Sequence, residues 1–268
     1  MIARPGAAVC IGVLLASVAG CASAGSLAAA PSSAPAPSVS PADPRTPLQI
    51  LTAGIPTDTS VAYHYSMTGT DGPTSGVIDP ATKTAEYDVV AYYHDPAYTM
   101  TVKVLLIGKK SWAKVVLAPN DVSGLSYIPR RWMVLDPSKI TPPGELPFGY
   151  QKESDPAFAG AIIENVNDVR QTSPGHFAGI TDLTDSGSDI VGVDRITALG
   201  DTATKLRFTA ALDAKGRLAT ASVVMPASAR FPAFTYKIVY DRYATAPVPK
   251  APTGTTKAIP EVYKWIGY

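Results

Sequence analysis

Cysteine is nearly absent from this chain: two in 268 residues, at positions 10 and 21. Cys10 lies in an apolar leader, so after cleavage only Cys21 remains, and no intramolecular disulfide can form. Histidine is scarce too, with three residues, His64, His94 and His176. None has a second histidine or a cysteine at ligand spacing, so no metal site and no cofactor is expected. Charge is sparse and balanced, with 23 basic against 22 acidic residues. Loss of Arg4 with the leader makes the remainder neutral, which argues against nucleic acid or an anionic surface as a partner. Arg130-Arg131 and Lys109-Lys110 are isolated pairs, read as solvated strand ends. No G-x-S-x-G, H-E-x-x-H or phosphate-cradling glycine loop occurs, and no catalytic residues are expected. No apolar run approaches the ~20 residues that span a bilayer.

What is present begins at the N-terminus. Arg4 is the one charge before an apolar stretch, Ala7 to Ala19, interrupted by Gly12 and Ser17. The stretch closes on Val18-Ala19-Gly20-Cys21, a lipobox pattern in which small residues lead to a cysteine that takes a diacylglyceryl thioether. Residues 1–20 are thus read as a lipoprotein signal peptide, with Cys21 the lipid-attachment residue on the outer face of the plasma membrane. An ordinary signal peptide cleaved at Ala22-Ser23-Ala24 is the competing reading. Acylation accounts for a lone thiol on an exported protein, and two or more chains hold a membrane where one does not. Residues 21–47 are Ala, Ser and Pro, with prolines at 31, 35, 37, 41, 44 and 47 that oppose helix and sheet. They read as a tether reaching roughly 80 Å extended and ~30 Å as a coil.

Residues 48–268 are enough for one sizeable core. Period-two alternation marks Val61 to Gly69, Thr84 to Tyr93, Tyr98 to Ile107 and Ser111 to Leu117, with a short strand from Arg131 to Leu135. Leu206, Phe208, Ala210 and Leu212 share one face of the next strand. Asp213-Ala214-Lys215-Gly216 is a hairpin turn, and Arg217 to Met225 returns from it. Phe234, Tyr236, Ile238 and Tyr240 share a face of the last strand. Short turns between such strands imply an antiparallel sheet. Between the two sets, Asp155 reads as an N-cap and Pro156 as the first helical residue. Phe158, Ile162, Val166 and Val169 form an apolar stripe that runs on to Ser173-Pro174-Gly175. Pro137 to Ile140 reads as a shorter helix, and Thr141 to Pro147 as loop. Asp71 and Asp79 read as turn residues. The acidic run Asp182 to Asp189 places Gly187 like a calcium loop, but Val193 stands where a bidentate glutamate belongs, so it reads as a solvated turn. The expected class is α+β.

Several segments in order carry a resemblance. Asp79-Pro80 opens a strand, Ser111-Trp112-Ala113-Lys114 is an aromatic-x-Lys strand, and Arg131-Trp132-Met133-Val134-Leu135-Asp136-Pro137 follows. Then come the helix, Phe177-Ala178-Gly179-Ile180-Thr181-Asp182, and Leu212 to Leu218. With lipobox and tether, this order resembles the actinobacterial LppX/LprG-type lipoproteins, which share a half-barrel fold with the lipoprotein carrier LolA. The resemblance covers roughly residues 48 to 250. It implies one strongly curved antiparallel sheet with one to three helices on its concave face. It also implies an apolar space between them that holds the acyl chains of a lipid or glycolipid. On that basis Val104, Leu106, Phe158, Ile162, Val166, Leu206 and Phe208 are the expected apolar lining. The C-terminus, Ile259 to Tyr268 with Tyr263, Trp265 and Tyr268, has no counterpart in the family. The residues leave a filled core open as well, which would suit an extracytoplasmic sensor or accessory interaction domain with an unknown protein partner. An envelope enzyme would need polar groups converging in a cleft, and no motif foreshadows one.

Overall fold

Alternating side chains in the N-terminal half become a run of paired strands in the computed structural model, which describes residues 44–69, 72–139, 149–152 and 154–267. The leader, Cys21 and the tether to residue 43 lie outside the described residues. So do Ile140, the loop 141–147, Asp71 and Tyr268.

The chain enters through α1 (Pro47–Gly54). A reciprocal cap starts it: the Gln49 N–H donates to Thr46 Oγ1 at 3.3 Å, and the Thr46 N–H donates to Gln49 Oε1 at 2.9 Å. Pro47, expected at the tether's end, is the first helical residue, where its missing N–H costs nothing. Then follow β1 (Tyr63–Thr68), β2 (Thr74–Asp79), β3 (Thr84–His94), β4 (Ala97–Ile107), β5 (Lys110–Ala118) and β6 (Met133–Val134). The middle of the chain holds α2 (Ala159–Glu164), β7 (Val166–Ser173), β8 (His176–Thr181), α3 (Gly187–Val191) and α4 (Val193–Leu199). β9 (Leu206–Leu212), β10 (Leu218–Met225), β11 (Phe234–Asp241), β12 (Thr256–Lys257) and α5 (Pro260–Trp265) complete it.

All twelve strands join one open sheet, in the order β12-β6-β5-β4-β3-β2-β1-β11-β10-β9-β8-β7. Every pairing is antiparallel except the short parallel contact of β12 with β6. The architecture is α+β, dominated by this sheet, with few helices. The expected faces form: Tyr63 and Tyr65 are buried on β1, Leu206, Phe208 and Ala210 on β9, and Tyr236, Ile238 and Tyr240 on β11. They join residues of all five helices or their flanks in one apolar cluster. The 213–216 turn is as read, with Gly216 at φ +75° and the Lys215 N–H donating to Asp213 Oδ1 at 2.8 Å.

Gly76 shows why sequence pattern alone is insufficient. It stands opposite Tyr65 on one side and Tyr87 on the other. With no side chain between them, the two rings meet edge to face, centroids 6.4 Å apart. A Cβ on Gly76 would lie 1.7 Å from the Glu86 carbonyl oxygen.

Three expectations are corrected. The helix expected from Pro156 to Arg170 ends at Glu164, and Val166–Ser173 is the strand β7, paired with β8 across Pro174-Gly175. The misleading signal is a β-bulge. Register shifts between Asn167 and Arg170, and Asp168 sits at φ +53°. An extra residue lets Val166 and Val169, three apart, both reach the core, which imitates helical spacing. Gly179 on β8 accommodates the bulge, since a Cβ there would sit 2.9 Å from Val166 Cγ1. Asp79-Pro80 closes a strand, β2, rather than opening one. The Asp79 carboxylate ties the turn that follows by accepting from the Ala81 N–H and the Thr82 hydroxyl, the latter at 2.6 Å. Pro137 to Lys139 is a single 3-10 turn.

Candidate functional site

Three tyrosines on the sheet's apolar face reach upward and fix the segment that leads into α2. Tyr63 donates its hydroxyl to the Ser154 carbonyl at 2.6 Å, and Tyr236 donates to the Ala157 carbonyl at 3.1 Å. Tyr240 donates to the Asp155 carboxylate. That carboxylate also accepts the Ala159 N–H at 3.1 Å and the Gly160 N–H at 2.6 Å. Asp155 is therefore not the N-cap expected from the sequence, nor is Pro156 the first helical residue: α2 starts at Ala159 with Phe158 at the cap position, and the Asp155 carboxylate reaches its first two N–H groups from four and five residues away. Burial is the main cause that holds all three phenols far above the ordinary tyrosine range, and the Asp155 charge adds to it. They stay protonated donors.

The tight turn places Phe158 at φ +59°, a left-handed conformation that a bulky side chain rarely adopts. It is 38% exposed. Pinned there, its ring forms part of a wall.

The wall belongs to a cleft of about 860 Å³ between sheet and helices. Its floor is Met67, Thr74 and Val89, which stand opposite one another on β1, β2 and β3, with Tyr87 two residues along. One wall is Ser154, Asp155, Pro156 and Phe158. Another is Ser188 and Asp189 of α3 with Gly192. The third is Trp265 of α5 and Ile266 after it. α5 is held by the Asp136 N–H, which donates to the Tyr263 hydroxyl at 2.8 Å, and by Lys139 lying 5.7 Å from the Tyr263 ring centre. The volume falls within the ~300–1,000 Å³ typical of small-molecule sites.

Of the seven residues expected to line an apolar space, Phe158 alone lines this cleft. Val104, Leu106, Ile162, Val166, Leu206 and Phe208 are packed in the core, each no more than 5% exposed. Val104 stands opposite Tyr87, one strand from the cleft floor. Nothing in the sequence pattern singles out Thr74, Tyr87, Val89 or the α3 residues as lining. Met67 is visible in the β1 alternation and Trp265 as an unplaced aromatic, but their convergence depends on register and on the path of the C-terminus.

The remaining candidates resolve individually. His64 is half-buried with Nδ1 2.7 Å from Asp241 Oδ1, while His94 and His176 are exposed. Among the described residues, no group of three or more histidine, cysteine or acidic side chains could hold a metal. In the acidic run, Asp182 accepts from the Thr184 hydroxyl at 2.7 Å and the Thr184 N–H at 2.9 Å. These bonds lower its pKa, and the residues after it enter α3. No helix among the described residues is long and apolar enough to cross a membrane.

No protein family's sequence profile matches the chain, and no curated protein is significantly similar to it.

Proposed function

We propose that this protein is a lipid-anchored extracytoplasmic carrier whose cleft shields the alkyl chains of a lipid or glycolipid. The observation that carries the reading is the 860 Å³ cleft between the sheet face and walls formed by the 154–158 turn, α3 and the α5 end. Met67, Val89, Phe158, Trp265 and Ile266 give it surfaces that gain about 25 cal/mol for each Å² of apolar area withdrawn from water. The sheet bends around this space as a half-barrel, with the helices on its concave side. The signal peptide directs export and is removed; an acylated Cys21 and the tether that leads to α1 keep the domain at the outer face of the plasma membrane. No catalytic step and no cofactor belongs to this reading.

The test is direct. Protein purified without detergent is extracted with organic solvent and the extract analysed by mass spectrometry. Co-purified lipid, or saturable uptake of a fluorescent alkyl probe, supports the carrier; neither one defeats it.

A second reading has one observation in its favour. Six of the seven expected lining residues are packed into the core, which suits a sensor or accessory domain recognising another protein. It predicts a partner recovered by crosslinking and an empty solvent extract.

A further inference from the structure

The cleft's charge is one-sided. Besides the aromatic Tyr87 and Trp265, its polar side chains are those of Thr74, Ser154, Asp155, Ser188 and Asp189, and two of these are carboxylates. Among the described residues, no lysine, arginine or histidine lines it. The two acids come from different segments, Asp155 before α2 and Asp189 on α3. Asp155 is fixed in place: it accepts from Tyr240 and from two backbone N–H groups, and none of these partners carries a positive charge to offset it. Asp189 is exposed, so it can meet a head group at the rim. Asp155 is only partly exposed, and the apolar surface beside it strengthens the field of its carboxylate.

We infer that the cleft selects its amphiphile by head-group charge, and that its ligand is an alkyl chain carrying a cationic nitrogen. Such a head is attracted by both carboxylates and donates hydrogen bonds to the Thr74, Ser154 and Ser188 hydroxyls. A carboxylate or phosphate head would meet two like charges with no lining cation to compensate, and like-charge juxtaposition is one way a site rejects a wrong ligand. This inference rests on the carrier reading and adds the class of ligand to it.

Three probes with the same tail separate the terms: dodecylamine, dodecyl maltoside and dodecanoate, each titrated calorimetrically below its micelle concentration into the full chain. Dodecylamine is expected to bind at least roughly tenfold more tightly than dodecanoate. The gap should narrow in 1 M salt, where the Debye length is about 3 Å. Asp189→Lys, a change at an exposed position, should narrow it again or reverse it, while Asp189→Asn lies between. Dodecanoate binding as tightly as the amine overturns the inference and leaves the carrier standing. So does a ratio that Asp189→Lys does not move. Maltoside equal to the amine shows selection by hydroxyl bonding rather than charge, and overturns it too. If no probe binds, the carrier reading fails and this inference fails with it.

Discussion

Tyr240 of β11 and Asp155 ahead of α2, distant in sequence, meet in a hydrogen bond that couples the sheet to the wall of the cleft. Asp155 orders the turn, the turn holds Phe158 in its left-handed pose, and the tyrosine orders Asp155. Tyr240→Phe removes a bond to a carboxylate and should cost about 1.5–3 kcal/mol in urea unfolding. Tyr236→Phe, which removes a bond to a neutral carbonyl, should cost about 1 kcal/mol. Equal losses would mean that the carboxylate adds nothing.

Phe158 separates binding from folding. Phe158→Gly relieves a φ that costs a bulky residue about 1–2 kcal/mol and gives up the contacts of a partly exposed ring. Stability should therefore change by less than about 1 kcal/mol while affinity for an alkyl probe falls. Unchanged affinity would remove Phe158 from the site.

Gly76→Ala forces a Cβ against the Glu86 carbonyl and separates the Tyr65 and Tyr87 rings. A loss of about 3 kcal/mol in thermal or chemical unfolding is expected. A near-neutral effect would contradict the close β2–β3 approach.

Alkaline pH probes the buried phenols together. Tyr63, Tyr65, Tyr236, Tyr240 and Tyr243 all have values raised above the ordinary 10.0, chiefly by burial. Below pH 10 both folded and unfolded chains keep these protons, and the full stability is present. Above it the unfolded chain releases protons that the folded chain retains, so stability falls with rising pH. Each such tyrosine contributes about 1.4 kcal/mol per pH unit until its folded value is reached. Urea midpoints should therefore decline steeply beyond pH 10. A flat profile from pH 9 to 11 would contradict the burial.

The strands with a clear alternating stretch are legible in the amino-acid pattern itself: β1, β3, β4, β5, β9 and β11, and β10 beyond its irregularity between Leu218 and Thr220. β2 is not, because Thr74-Ser75-Gly76-Val77-Ile78-Asp79 holds too few apolar residues to show a period, and its glycine serves the neighbours' rings. β7 passes for helix because a bulge at Asp168 gives a strand the apolar spacing of one. The short helices α3, α4 and α5 are stabilised by packing on the sheet, which local composition does not reveal. The cleft is the least legible feature. Val104 and Leu106 face the same side as Tyr87 and Val89, so face alone does not tell core from lining. The difference is which strands the 154–158 turn and α5 leave uncovered.

The anchor has its own test. Cys21→Ala protein should leave the membrane fraction on carbonate washing. Retention would show that lipid attachment at Cys21 is not what holds the domain there.

Photocrosslinking with an alkyl diazirine tests the central claim most directly. Adducts mapped by peptide mass spectrometry should fall on Met67, Val89, Phe158 and Trp265, and an excess of unlabelled alkyl chain should suppress them. Adducts scattered over the exterior, or none above background, would contradict a cleft that holds lipid chains.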